Sequence, residues 1–482
     1  MTLLDNFLSL FGGVKNEMTL PTTDLHRFYE LELNKWLVSK DRLEMINADC
    51  YYMGQHDILN RKRTAIGEKG ELINLDNLPN NRIVNNIYGK IVDQKCNYLL
   101  SKPLTFESGN DKYDELLKTI FNSEFLRRLK NSGIDALNGG VTWIYPYYDE
   151  NGNFAFQNFR SYEILPFWKD AEHTEVESAI RYYHVKGWEG NNEVIIKKVE
   201  IFTSEGIERY ILQGTKLVAD VTEPFGYYAR IGTQGFTWNK IPLIAFKSNG
   251  REVSLLRKCK GLQDAYNTMI SDFTNTMQED CRNTILVIKN YDGQNLGEFR
   301  KNLATYGAVK VKTVDGADGG VDTLTVTVNK DNYESILKAL KKAIIENCMA
   351  YDAKDDRVGS NANQVNIKSM YSDIDIDADN MEAEYKGAFE QLLFFVNSYL
   401  ATVGKGSYFD VPVKITFNRD IMINETEVID SLVKLGVQLP NELLVGQVPF
   451  VDNVKSVIDM LNAEKQENDV YANVFNGVNN ND

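Results

Sequence analysis

The sequence predicts an α+β protein built in several parts, on three observations. Residues 141–246 alternate apolar and polar with period two. Two stretches, 252–283 and 331–351, carry apolar residues spaced four and three apart, as in helices that pack lengthwise. Between them, 285–329 reads as a small α/β unit of its own. With 482 residues, 43% hydrophobic and 25% charged, the chain has apolar surface for about three domains and is not a disordered polymer.

Taken in order, residues 1–23 are an N-terminal arm. It bears Leu3, Leu4, Phe7, Leu8 and Phe11 but lacks the basic start and cleavage site of a secretion signal. Residues 24–53 read as one helix with Trp36 and Leu37 on its apolar face, stopped by Gly54. The charged, Asn-rich stretch 60–80 reads as a loop or arm. From 84 to 100, Val84, Ile87, Tyr88, Ile91, Val92, Cys96 and Leu99 fall at helical spacing; Pro103 ends that helix and Leu104-Thr105-Phe106 reads as a strand. A second amphipathic helix is expected over 111–130, on Leu116, Leu117, Ile120, Phe121, Phe125 and Leu129.

The short β-branched and aromatic runs 141–148, 154–159, 178–185, 193–202 and 208–213 are separated by turn residues such as Glu150-Asn151-Gly152 and Gln213-Gly214. They predict an antiparallel β-rich module, closed by Ile241–Phe246. In the helix expected over 252–283, about 48 Å long, the apolar seam is Leu255, Cys259, Leu262, Tyr266, Met269, Phe273 and Met277. The insert 285–329 reads as a strand, a turn at Gly293, a helix near 296–306 and two further strands. The second seam is Tyr333, Leu337, Leu340, Ile344, Cys348 and Tyr351, so the two helices are expected to form an antiparallel pair capped by the insert. Residues 352–366 are polar and read as a mobile loop. A helix over 367–401 follows, with Gly387 as a candidate bend, then a strand Val413–Phe417, a helical region near 425–465 punctuated by Pro440 and Pro449, and an Asn-rich, disordered tail 473–482.

The search for chemistry is mostly negative. The sequence lacks the phosphate-binding G-x-x-x-x-G-K-[ST] loop, the G-x-S-x-G elbow and the H-E-x-x-H pair. His26, His56, His173 and His184 each sit alone and read as ordinary surface or core histidines. Cys50, Cys96, Cys259, Cys281 and Cys348 are dispersed, as free thiols of a reducing compartment would be. No apolar run reaches the roughly 18 residues of a membrane span. Fifty-three basic against 68 acidic residues give −15, the wrong sign for a protein that grips nucleic acid by neutralising phosphates. The run Asp373-Ile374-Asp375-Ile376-Asp377-Ala378-Asp379 places Asp373 with Asp377, and Asp375 with Asp379, on shared helix faces. It reads as a solvated or DNA-facing acidic surface, with a Mg²⁺-dependent nucleic-acid-processing site as the alternative. Lys338, Lys341 and Lys342 lie away from the second seam and read as solvated lysines or as cations facing an anionic ligand. No cofactor and no metal-ligand set is expected.

Four stretches resemble one family. They are Asn85-Asn86-Ile87-Tyr88 through Ile91-Val92-Asp93-Gln94-Lys95 to Tyr98-Leu99-Leu100-Ser101-Lys102-Pro103-Leu104; Ile241-Pro242-Leu243-Ile244 with Gly261-Leu262-Gln263-Asp264-Ala265-Tyr266-Asn267 and Ser271-Asp272; Asn366–Asp375; and Gln438–Leu444 with Pro449-Phe450-Val451-Asp452. In this order they resemble the portal (head-to-tail connector) proteins of tailed double-stranded DNA bacteriophages, the siphophage-type group. Many relatives carry Ser-Gly-x-Ala-Leu-Lys before the long helix, where this chain has Ser360 through Lys368. The resemblance implies a portal fold: a β-rich wing (24–250, with 367–425), stem helices (251–284 and 330–351), a small α/β clip (285–329), a tunnel loop (352–366) and a helical crown with its tail (426–482). It also implies a ring, usually of twelve subunits, at one capsid vertex of the virion, assembled in the host cytoplasm. Double-stranded DNA would be packaged through the ring by a separate terminase, retained, and later ejected. Major capsid, scaffolding and head-completion or tail adaptor proteins would be the other partners, without a membrane and without enzymatic activity. Lys354, Asp355, Asp356, Arg357, Asn361, Asn363 and Gln364 would then line the tunnel loop, and Lys338, Lys341 and Lys342 would face the tunnel from the stem. A strongly acidic wall suits a genome that must slide, because each neutralised phosphate would add grip.

Overall fold

The computed structural model describes residues 25–66, 70–74, 78–222, 224–231, 234–238, 240–280, 284–289, 295, 297, 301, 305, 320–325, 330–352, 364–419, 457, 458 and 460–463. The arm 1–23, the insert strand expected over 308–314, the tail and most of the region 425–465 lie outside the described residues.

The stretch expected to be one helix over 24–53 is two, α1 (Leu25–Leu37) and α2 (Lys40–Tyr52). Ser39 is the reason. Its backbone is extended and its hydroxyl accepts from the amide of Arg42, which caps a new helix. Gly54 ends α2 at φ +81°, in the left-handed region. The stretch expected to be a loop or arm holds a short antiparallel pair, β1 (Thr64–Ile66) and β2 (Leu72–Asn74). Helix α3 (Ile87–Leu100) and strand β3 (Thr105–Glu107) fall where periodicity put them, and every apolar residue named for that helix within its span is buried. The amphipathic helix expected over 111–130 is again two, α4 (Asp111–Ile120) and α5 (Ser123–Gly139). Asn122 interrupts it by accepting from the amides of Glu124 and Phe125.

The β-rich module divides into two sheets and a hairpin. Strands β4 (Val141–Tyr148) and β5 (Phe154–Phe159) pair with the later β14 (Ile244–Lys247) in the order β14-β4-β5. Strands β6 (Ile164–Trp168), β7 (Val176–Glu189), β8 (Asn192–Thr203), β9 (Gly206–Gln213) and β10 (Lys216–Ala219) form an antiparallel meander, with β11 (Phe225–Gly226) also on β9. Strands β12 (Ala229–Ile231) and β13 (Gln234–Phe236) pair with each other. Gly214 turns β9 into β10 at φ +63° with two residues between the paired ends Gln213 and Lys216.

Strand parity sets the layers. In β4, Val141 and Trp143 face the six-stranded sheet with Phe159, Phe202 and Ile207. Ile144, with Phe156, Ile244 and Phe246, faces the helices. The far side of the six-stranded sheet presents Ile180, Tyr182, Val199 and Ile201 to Tyr29 and Leu33 of α1. The stack is therefore helix, sheet, sheet, helices. Gly140, at φ +85°, joins α5 to β4 where a Cβ would lie 2.0 Å from the carbonyl oxygen of Glu252, so only glycine fits.

Helix α6 (Leu256–Asp280) starts later than expected because Asn249 folds 249–253 into a turn and Ser254 accepts from the amide of Leu256. Strands β15 (Thr284–Lys289) and β16 (Gly320–Thr325) form an antiparallel pair, and α7 (Lys330–Asn347) returns. Helix α8 (Gln364–Thr402) has 39 residues, about 58 Å, and runs unbroken through Gly387. It crosses the three-stranded sheet and α3 with a row of buried apolar side chains from Ile374 to Leu400. Strand β17 (Lys414–Thr416) closes on β3.

Candidate functional site

Helices α6 and α7, the expected stem, form an antiparallel pair. Phe273 of α6 meets Tyr333 of α7, ring centroids 4.9 Å apart, and at the opposite end the thiols of Cys259 and Cys348 face each other. Going up one helix goes down the other, and β15–β16 bridges the far ends. Both cysteines are buried free thiols, and the hydrogen bond with Cys348, together with burial, pushes the Cys259 thiol up.

The root of this stem is held by a polar ladder. Beyond Cys259, the most buried residues of α6 are Gln263, Asn267, Ser271 and Asn275, each four positions from the last. The segment 81–88 runs past them. The amide of Asn81 donates to Asn275 (2.7 Å), Ile83 to Ser271 (3.0 Å), Asn85 to Asn267 (3.0 Å) and Tyr88 to Gln263 (3.1 Å). Gln263 returns a bond to the Asn85 carbonyl, 2.7 Å. The spacing is geometric from 81 to 85: four helical residues rise about 6 Å and two extended residues about 6.6 Å, so alternate amides meet successive turns, and Tyr88, in the first turn of α3, makes the fourth bond three residues on. His56 joins the ladder. Asn267 donates to its Nδ1 (2.8 Å) and Nε2 lies 3.1 Å from the Tyr51 carbonyl, which fits the neutral Nε2–H tautomer. Burial holds the His56 pKa below its ordinary value.

This corrects the expected seam. Leu262, Tyr266, Met269 and Phe273 are only half-buried, and the polar row is buried instead. The backbone of 81–88 must find acceptors, and side-chain amides and a hydroxyl provide them.

The two ends of the expected tunnel loop converge on α3. Gln94 donates to the Tyr351 carbonyl at 3.0 Å, and Lys95 donates to the Met349 carbonyl at 3.1 Å. Lys95 also pairs with Asp377 of α8 at 2.6 Å, and Tyr98 donates to Asp375. The ring of Tyr371 bridges the two sides, 4.6 Å from Tyr351 and 5.7 Å from Tyr98. Gln94, Lys95 and Tyr98 thus clasp both the departing and the returning chain. Met349 aims its carbonyl at Lys95 by taking φ +50° at the end of α7, where the amides of Met349 and Ala350 bond back to Glu346 and Ile345. Lys95 is buried, and desolvation lowers its pKa despite Asp377.

The expected site residues fare unevenly. Lys354, Asp355, Asp356, Arg357, Asn361 and Asn363 lie outside the described residues, and Gln364 opens α8. Lys341 turns back to Asp352 at 2.6 Å, Lys342 lies 3.6 Å from Glu346, and Lys338 is exposed. The acidic run is solvated in part: Asp373 and Asp379 are exposed, but three of its carboxylates have cation partners. Asp377 serves Lys95, and Asp375 and Asp379 are held with Glu382 by Arg419, which is 2.9 Å from Asp375 and 2.8 Å from Glu382. Their partners lie elsewhere in the chain, which is why the run alone looked solvated. Among the described residues no group of three His, Cys, Asp or Glu side chains is placed to hold a metal ion, and no helix is long and apolar enough to cross a membrane. The ladder and the clasp were not foreseen. Their signals are visible afterwards: amide and hydroxyl residues every fourth position on α6, and Asn80, Asn81, Asn85 and Asn86 in the segment alongside.

A β-rich body, an antiparallel helix pair with a strand-built cap, and a clasp on α3 that holds the end of α7 and the first half of α8 define a multi-part α+β protein. The chain belongs to the family described as phage portal protein, SPP1 Gp6-like, which it matches over residues 34–471. It is 28% identical over 425 residues to the portal protein of Bacillus phage SPP1, covering 86% of this chain and 82% of that one. It is also 28% identical over 456 residues to the portal protein of Clostridium phage phiCD119, strain Clostridium difficile/United States/Govind/2006, covering 91% and 96%.

Proposed function

We propose that the chain assembles into a ring, usually of twelve subunits, that forms the DNA channel at one capsid vertex of the virion. The observation that carries this reading is the stem: two antiparallel helices tied to the wing at one end and capped by strands at the other. Double-stranded DNA passes through the ring, driven in by a separate terminase, and a head-completion or tail adaptor protein docks later. Major capsid and scaffolding proteins surround the ring as it is built in the host cytoplasm. Negative-stain imaging and light scattering of purified protein without nucleotide test it. Rings with a central hole are expected; a stable 54.9 kDa monomer at every salt concentration would overturn it.

The insert 285–329 is proposed as the docking surface for terminase and then for the adaptor, since its paired strands β15 and β16 join the far ends of α6 and α7. Deleting it should leave rings that dock neither partner. The loop 352–366 is proposed as the narrowest point of the tunnel. Lys354 and Arg357 touch phosphates while Asp352, Asp355 and Asp356 limit the grip, so contact is brief and salt-sensitive. Replacing Lys354 and Arg357 with Ala should leave rings but impair packaging or genome retention; normal packaging and retention would remove the gating role. Lys338, Lys341 and Lys342 are secondary tunnel-facing candidates. The nuclease alternative is disfavoured because Asp375, Asp377 and Asp379 are already paired with cations; a Mg²⁺-dependent nuclease assay should read background.

A further inference from the structure

The β7–β8 ribbon outruns its cover. One face of it carries Ile180, Tyr182, Val199 and Ile201 under α1 and then continues to Ile195 and Trp188, which are 64% and 72% exposed. The register puts these on one face, with Ile180 opposite Ile201, Tyr182 opposite Val199, the polar pair His184 and Lys197 between, and Lys186 opposite Ile195. A two-stranded ribbon with bare apolar side chains is marginal in water unless something covers it.

The same sheet carries a matching recess at its other end, about 26 Å away along β8. It is a cavity of about 1140 Å³ walled by the rings of Tyr148, Phe225, Tyr227, Tyr228 and Tyr399, with Glu150 on its rim. Lysines flank the ribbon tip: Lys197 is exposed and lies on the same face as Ile195. The tip thus presents Trp188 and Ile195 beside Lys197, with Lys186 and Glu193 paired to each other at 2.8 Å, and the recess presents aromatic rings with Glu150 and Arg209 among its lining residues.

We propose that Trp188 and Ile195 of one copy of this chain seat in that recess on the next copy, with Lys197 against Glu150. A knob and a pocket at opposite ends of one sheet form a head-to-tail contact, which closes into a ring when the rotation closes. The inference rests on the ring reading and specifies one of its contacts.

The full chain tests it. Trp188→Cys combined with Thr402→Cys, a recess position, should give a ladder of covalent multimers with a short bis-maleimide, whereas each single variant should not. Trp188→Ser should raise the concentration for half-assembly about tenfold or more, as loss of a central tryptophan anchor does. Lys197→Glu should weaken assembly, and adding Glu150→Lys should restore it. Trp188 is exposed in the subunit, so these variants should fold, and circular dichroism checks that. If rings form in imaging but the double-cysteine variant gives no ladder beyond the singles, this contact is wrong and the ring reading stands. A wild-type chain that stays monomeric overturns both.

Discussion

Helices α6 and α8 are both long and both bury a row of side chains about four residues apart, but they fill that row with different chemistry. In α8 the row is Ile374, Ala378, Met381, Tyr385, Phe389, Leu392, Val396 and Leu400. In α6, past Cys259, it is Gln263, Asn267, Ser271 and Asn275. Apolar packing is non-directional and responds to volume. A hydrogen bond from a fixed amide accepts one partner at one place. The apolar row therefore supplies stability, and the polar row sets where the stem sits along the wing. A slip of α6 would strand four backbone donors together.

The predictions probe that contrast, compared at one fixed protein concentration because assembly shifts apparent stability. The largest effect belongs to the apolar row. Phe389→Ala should cost about 3–5 kcal/mol in denaturant unfolding, and Phe389→Leu should recover most of it, because volume is what was lost. Next comes the clasp, where the two regions meet. Lys95→Ala leaves the half-buried Asp377 without its nearest cation and should cost about 3 kcal/mol. Asn267→Ala should cost about 1–3 kcal/mol by orphaning the Asn85 amide. Asn267→Leu should do no better, since refilling the space does not return an acceptor. If Leu rescues Asn267 as it rescues Phe389, the contrast between the rows fails.

A pH series sharpens the same point. His56 has a folded pKa below its ordinary 6.5, so below about that pH the unfolded chain binds the extra proton first. Stability should fall as pH drops through that window, and His56→Gln should lose this part of the slope. An unchanged slope would show that His56 is not neutral in the ladder. The smallest effect is at Met349. Met349→Gly relieves a left-handed residue and should gain up to about 1 kcal/mol, read as a small rise in Tm.

How much of this was legible depended on how far away the deciding partner lay. The β4 and β5 strands, α3, and the insert between two helices came from periodicity within a few residues. The breaks at Ser39 and Asn122 were missed although their caps are local. A helical period continues across a two- or three-residue interruption, and the apolar residues on both sides fit one wheel. The stretch 60–80 was too polar to announce β1 and β2.

The sequence by itself determined the α+β class, two long helices on either side of an insert, and the family resemblance, because these rest on local spacing and on residues read in order. Only the tertiary structure decided the chemistry of the buried positions. The acceptor for the amide of Asn85 is a side chain on Asn267, and the cation for Asp377 is Lys95. A polar residue in a helix looks solvated until its partner is known, since burying it costs free energy unless that partner is there. Those partners are brought together only when the chain folds.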